Sequence, residues 1–145
     1  MGRNSLGIRA LVAFAVCSLC MLLTNFAYAA TVVAAGTKTV EACNFAVQPT
    51  FNIVKTLPYP ADWKVVVVCN ENLWDGLMKQ ANVDYISDYA FTYQPNRVTL
   101  IRAKVFAERM EYTPEQVLSH ELGHIMCKCD DEDKAWDWAN KHGLR

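Results

Sequence analysis

The chain has 145 residues and carries 14 lysines and arginines against 15 acidic residues, so its formal net charge is −1. This length fits a single domain. The near balance of charge argues against a general nucleic-acid binder, which needs a basic face.

The first 29 residues have the three parts of a secretory signal peptide. Two arginines precede an almost wholly apolar run at residues 11–23, and Ala27 and Ala29 are the small residues that a signal peptidase reads. The run is shorter than the roughly 20 residues of a membrane-spanning helix. We therefore expect cleavage after Ala29 and a secreted or periplasmic domain at residues 30–145 with no stable membrane anchor. A retained anchor is the rival interpretation.

The first part of this domain is predicted to contain two short helices, a buried strand and a third helix. Residues 30–38 are small and polar, and we expect them to be frayed. Pro49 is expected to separate the first two helices, because proline interrupts the helical hydrogen bonds. A β-branched run predicts the strand, and Asn70 or Asn72 can cap the helix after it. In chain order, these elements are predicted at residues 40–47, 51–57, 64–69 and 72–80.

The second part is predicted to contain a β-hairpin and two helices. Turn residues at 94–96 separate two predicted strands, at 89–93 and 97–106. A capping box at residues 113–116, with proline at the first helical position, predicts a helix over residues 114–126. A final helix is predicted over residues 131–141, where Gly143 can end it. The fold class is therefore α+β, with a short sheet and hairpin packed on two C-terminal helices.

Four cysteines lie outside the predicted leader: Cys43, Cys69, Cys127 and Cys129. An even number in an exported chain indicates two disulfides, with buried free thiols as the alternative. Only one residue separates Cys127 from Cys129, and we expect so short a ring to strain the disulfide geometry. The prediction is therefore that Cys43 and Cys69 each bridge to one member of that pair.

The segment His120-Glu121-Leu122-Gly123-His124 lies on the best-defined predicted helix. Two histidines four positions apart project from one helical face and can reach one Zn²⁺. Glu121 can take a proton from zinc-activated water and pass it to the leaving amine. The predicted activity is therefore zinc-dependent hydrolysis of peptide bonds, with His120 and His124 as metal ligands and Glu121 as general base.

This motif helix resembles that of the zincin metallopeptidases, and the order of the surrounding elements is similar to the small gluzincins. The resemblance covers about residues 64–142, and only the five-residue motif is specific. It implies a zincin-like domain in which the strand before the motif helix, at residues 97–106, forms the rim of the substrate cleft. It also implies that an acid on the next helix supplies the third zinc ligand, a place that Glu132 matches.

Helical geometry favours the same acid. At about 100° per residue, Glu132 lies about 40° from the centre of the apolar face of the final helix, whereas Asp133 lies about 140° from it. Asp131 is compatible at about 60° but has a shorter side chain. Asp130 also stays open, because metzincins place their third ligand there, although Cys127 replaces the glycine that those enzymes use. Acids at a helix start also suit the helix dipole without any metal.

Three functions compete on this sequence. The first is a zinc peptidase acting on a peptide or protein substrate, with a partner protein that completes the cleft of so small a domain. The alternative is a catalytically silent, zinc-stabilised exported binding protein. Glu121 argues against it, because a purely structural zinc site fills all four positions with Cys or His. A metal-free disulfide scaffold would leave His120 and His124 unexplained. His142, beside Lys141 at a helix end, fits ordinary dipole chemistry better than metal binding.

Overall fold

The computed structural model describes residues 30–82 and 89–142, so the predicted leader and Gly143 lie outside the described residues. Within these residues, the chain forms four strands and four α-helices joined by turns and short 3₁₀ helices. The strands are β1 (Thr31–Ala35), β2 (Lys64–Val68), β3 (Ala90–Tyr93) and β4 (Val98–Arg102). The helices are α1 (Asn44–Val54), α2 (Glu71–Gln80), α3 (Pro114–Cys127) and α4 (Glu132–Lys141).

The four strands form one sheet in the order β1-β2-β4-β3, in which only the β3–β4 pair is antiparallel. Alternate side chains of a strand point to opposite faces, so the sheet has two apolar faces. Val65 and Val67 of β2 belong to the large core that α1 and α3 share, whereas Val68 packs with Trp74 and Met78 of α2. The predicted α+β class is confirmed, and β3 lies against α3.

The segment that was expected to be frayed contains an ordered strand. β1 pairs in parallel with β2 along its whole length, and the Thr31 N–H donates to the Trp63 carbonyl at 3.0 Å. Val32 also packs against the core. The prediction for residues 30–38 is therefore wrong over β1, because pairing with a strand some thirty residues further along the chain supplies the order that the local composition does not.

Pro49 does not break the first helical region. A single helix, α1, runs through it. Proline inside a helix costs about 3 kcal/mol, because it removes a hydrogen bond and crowds the preceding turn. Ala46, Thr50 and Val54 are buried on one face of α1, and the Thr50 hydroxyl donates to the Ala46 carbonyl at 2.8 Å. The two separate helices predicted here are therefore wrong, because packing against the core holds one helix together through the proline.

The remaining predicted elements are present, although some begin or end at residues other than those predicted. Arg97 adopts the left-handed conformation (φ 51°) where the hairpin turns into β4. β4 ends at Arg102, and the chain continues as a 3₁₀ helix at Ala103–Phe106, so the strand predicted over residues 97–106 is too long. Asn70 caps α2 through its side chain, and the capping box at the start of α3 is present.

Two disulfides are present, but the pairing predicted for them is wrong. Cys43 bridges to Cys69, and Cys127 bridges to Cys129. Lys128, the residue between the second pair, adopts a left-handed conformation (φ 53°) that turns the chain back at the end of α3. This turn brings the two Cα atoms to 5.2 Å, a separation that a disulfide spans, so one intervening residue is enough.

The disulfides fit an oxidising, extracellular location. Among the described residues, no helix has both the length and the apolar character of a membrane span.

The two disulfides should contribute unequally to stability. Cys43–Cys69 joins positions 26 residues apart, so replacing both cysteines with alanine should lower the free energy of unfolding by about 3.5 kcal/mol through the lost chain restraint. Cys127–Cys129 encloses one residue, and the same replacement there should cost about 1.5 kcal/mol. Urea unfolding of both double variants measures the difference, and equal losses would contradict it.

Candidate metal centre

The motif helix α3 is buried along most of its length. All residues from 117 to 125 are buried, and Leu118 and Leu122 pack in the large core. His120, Glu121 and His124 lie on the part of α3 that meets β3 and α4. The motif therefore lies in the protein interior and not on a solvated surface helix.

Three side chains from α3 and α4 converge. His120 Nε2 lies 2.8 Å from Glu132 Oε2 and 3.1 Å from His124 Nε2. His124 Nε2 lies 3.5 Å from Glu132 Oε1. The histidine side chains are buried, whereas the Glu132 side chain is 62% exposed. These three residues, called the ligand group below, could hold a metal ion, because their candidate ligand atoms all lie within 4.8 Å of one another.

A backbone carbonyl fixes the ring of His124. The Cys129 oxygen lies 3.0 Å from His124 Nδ1. A carbonyl oxygen can only accept, so Nδ1 carries the hydrogen and the neutral ring keeps its Nε2 lone pair for a metal. The Cys127–Cys129 disulfide restrains the short loop that presents this carbonyl. The donor set and the tautomer of His124 therefore both fit a metal site.

Packing orients His120. Its ring centroid lies 4.3 Å from that of Trp136 and 4.7 Å from that of His124. Within the described part of the chain, its buried Nδ1 has no hydrogen-bond partner. Burial and, next, the neighbouring His124 lower the pKa of His120, while Glu132 acts in the opposite direction. The neutral imidazole, which is the form that binds metals, is therefore favoured near neutral pH.

Glu121 lies beside the ligand group without belonging to it. Its Oε2 accepts a 2.6 Å hydrogen bond from the Thr92 hydroxyl of β3. Burial raises the pKa of Glu121 to about 7, whereas the Thr92 hydrogen bond and the nearby His124 act to lower it. A carboxyl group that titrates near neutrality is suited both to accept and to release a proton.

A cleft of about 640 Å³ lies along β3 and the ligand group. All four residues of β3 line the cleft, together with Glu121, His124 and Glu132. β3 is an edge strand of the sheet, whereas β4 pairs on both sides. Residues 97–106, which the resemblance implied would form the rim of the substrate cleft, do not line this cleft; β3 borders it, because β4 lies inside the sheet.

The other candidate ligands lie outside the ligand group. Asp131 caps α4, where it accepts from the Lys134 N–H at 3.0 Å, and this hydrogen bonding lowers the pKa of Asp131. Asp130 is exposed and lines the cleft. His142 Nδ1 lies 2.7 Å from the Trp138 carbonyl, at the opposite end of α4. The structure thus brings Glu132, and none of these three, to the two histidines.

Two residues of the site were not singled out from the sequence. Thr92 donates to Glu121, and the Gln94 side chain donates to the His124 carbonyl at 2.6 Å. The turn predicted at residues 94–96 would place Val98 opposite Thr92, whereas the observed register pairs Thr92 with Thr99, so the predicted hairpin did not reveal this polar pair. Gln94 lies in the turn and has no signal of its own.

Gly123 allows α3 and α4 to approach closely. A Cβ atom at this position would lie 2.3 Å from the backbone oxygen of Ala135 and 2.8 Å from its Cα. These are backbone atoms of α4, so relieving the overlap would move the helix that carries Glu132. The glycine therefore sets the distance between Glu132 and the histidines.

Gly123→Ala should lower the free energy of unfolding by about 1–3 kcal/mol and weaken metal binding, because α4 must shift. Gly76→Ala is the matched control, since a Cβ there meets nothing within 4 Å. It should raise stability by about 0.5–1 kcal/mol through helix propensity. Thermal unfolding and zinc titration of both variants test the contact. Wild-type zinc affinity in Gly123→Ala would show that the helix spacing does not control the site.

Glu132→Ala should lower zinc affinity by more than about a hundredfold, because it removes one of three ligand atoms. Asp130→Ala removes a neighbouring carboxylate of the same cleft and should change the affinity by less than about threefold. Competition with a chromophoric chelator measures both constants. Loss of zinc binding in Asp130→Ala, together with retained zinc binding in Glu132→Ala, would show that Asp130 is the third ligand and Glu132 is not.

No protein-family model, no curated protein and no solved structure matches this chain. Its function must therefore be inferred from the chemistry of its own side chains.

Proposed function

We propose that this protein is a zinc-dependent peptidase of the zincin type. The observation that carries the proposal is the convergence of His120, His124 and Glu132 beside the buried Glu121. Glu121, His124 and Glu132 line an open cleft. Each of these groups has a separate task in hydrolysis of a peptide bond, and the neighbouring strand offers a place for the substrate.

The donor set supports zinc as the metal. Two imidazoles and one carboxylate form a common catalytic zinc site, which leaves a fourth position open. Tetrahedral bonds of about 2.0–2.1 Å place ligand atoms about 3.3 Å apart, and the corresponding distances here are 2.8, 3.1 and 3.5 Å. A zinc ion, when bound, supplies Lewis acidity, which makes water a nucleophile near neutral pH and polarises a peptide carbonyl.

Glu121 carries the proton chemistry. It lines the cleft next to both histidines, and Thr92 anchors one of its carboxylate oxygens at 2.6 Å. In the proposed reaction, Glu121 takes a proton from the attacking water and returns it to the nitrogen of the leaving amine. The amine then leaves as a neutral group, and Glu121 is ionised again for the next cycle.

The edge of β3 supports an extended protein segment as the substrate. β3 pairs with β4 on one side and lies at the end of the described sheet. An extended peptide can add to such an edge through main-chain hydrogen bonds, which require no particular side chains. This binding would hold a peptide bond next to the ligand group. The two disulfides support activity outside the cytoplasm, in the secreted or periplasmic setting expected from the leader.

Glu121→Gln should keep its zinc and lose cleavage. The substitution removes the proton acceptor but leaves the ligand group intact, so zinc affinity should stay within about threefold, whereas kcat for fluorescently labelled casein should fall by about 10²–10⁴-fold. Glu115→Gln, an exposed change in the first turn of the same helix, is the matched control and should behave as wild type.

Two outcomes would contradict the peptidase proposal. Equal casein cleavage by wild type and Glu121→Gln would remove Glu121 from the mechanism. Tight zinc binding without cleavage of casein or an unfolded-peptide library by the wild-type protein would favour the silent, zinc-stabilised binding protein instead.

A further inference from the structure

A chain of hydrogen bonds crosses the core and ends on Glu121. The Trp63 indole N–H donates to the Thr99 hydroxyl at 3.0 Å. The Thr99 and Thr92 hydroxyl oxygens lie 2.9 Å apart, and the Thr92 hydroxyl donates to Glu121 Oε2 at 2.6 Å. All four residues are buried. Trp63, Thr99 and Thr92 are called the relay below.

The chemistry of its two ends gives the relay one direction. An indole N–H only donates, and an ionised carboxylate only accepts. Each threonine hydroxyl has a single hydrogen, and Thr92 uses its own on Glu121. Thr99 must therefore donate to Thr92 while it accepts from Trp63. All three donors point toward Glu121, so each bond strengthens the next one along the chain.

The relay holds one oxygen of Glu121. The Thr92 hydroxyl is the hydrogen-bond partner of Oε2, and Thr99 and Trp63 in turn fix the Thr92 hydroxyl. Removing the partner of a buried acceptor costs about 1–3 kcal/mol, so this contact restrains the carboxylate relative to β3.

We propose that Thr92, supported by Thr99 and Trp63, is a positioning residue that holds the Glu121 carboxylate in place for proton transfer. This inference rests on the proposed peptidase function. Thr92 belongs to β3, the strand that also borders the cleft, so one short strand would both place the substrate and hold the base. Thr92 has no atom in the ligand group, which separates its role from metal binding.

The test uses Thr92→Val, which keeps the shape of the side chain and removes the hydroxyl, together with Thr92→Ser, which restores a hydroxyl. With labelled casein as substrate, Thr92→Val should lower kcat by about 10- to 100-fold with KM within about twofold. Thr92→Ser should recover kcat to within about threefold of wild type. Both variants should bind zinc as wild type does. Thr50→Val removes another buried, hydrogen-bonded hydroxyl, in α1 and outside the relay, and should leave kcat unchanged.

A second readout does not depend on activity. In NMR spectra of the metal-free protein, the hydroxyl protons of Thr92 and Thr99 should exchange slowly enough to be seen, because both are buried and hydrogen-bonded. Thr92→Val should shift the indole N–H signal of Trp63, which donates to the next member of the relay. If Thr92→Val does not fold, Thr99→Val breaks the relay one bond further from Glu121 and should give a smaller loss of kcat.

Wild-type kcat in Thr92→Val, or equal loss in Thr92→Val and Thr92→Ser, would overturn the positioning role while leaving the peptidase proposal in place. Failure of the wild-type protein to cleave casein or unfolded peptides would reject the peptidase proposal, and with it the role in proton transfer. The NMR signals would then still decide whether the relay holds the carboxylate: exchange-broadened threonine hydroxyls would refute it.

Discussion

The backbone contact between α3 and α4 is the constraint on which the site depends. Gly123 and Ala135 bring the two helices together so closely that no side-chain atom fits between them at that point. Only four residues join the helices, and the Cys127–Cys129 disulfide restrains that connection. Glu132 is the first residue of α4, so the angle and spacing of this helix pair place its carboxylate against two imidazoles.

The rest of the fold makes it possible to bury the motif. His120, Glu121 and His124 are polar groups in an interior where an unpaired polar atom costs about 1–3 kcal/mol. His124 is satisfied by a carbonyl, and Glu121 by a hydroxyl of the sheet. The Nδ1 atom of His120 has no partner among the described residues. The polar contact of this ring is therefore made by Nε2, which lies against Glu132 and could instead bind a metal. Burial of ionisable groups with few partners is a common feature of functional sites.

Local patterns in the sequence predicted the local parts of the structure. The capping box at Thr113 and Gln116, the strand at β2 and the hairpin turn all depend on neighbouring residues, and all are present. β1 and the path of α1 through Pro49 depend on contacts with distant segments, which hydrophobic periodicity does not reveal. The cysteine pairing was missed because it involves the left-handed conformation of Lys128, which a lysine in the sequence does not indicate. Helical angles did single out Glu132, since its position depends on one helix face.

The ligand group and the hydrogen bond to Glu121 differ in how far apart their residues lie in the chain. The ligand group spans residues 120–132 of one helical pair, whereas the hydrogen bond to Glu121 comes from β3, which has β4 as its one strand neighbour in the described sheet. Edge strands with a single neighbour open at a lower free-energy cost than the core of a domain. A local opening of β3 would therefore release the carboxylate of Glu121 and leave the metal ligands assembled. In the proposed peptidase, metal occupancy and catalytic competence would then be separate properties, and a fully metal-loaded protein would spend part of its time inactive.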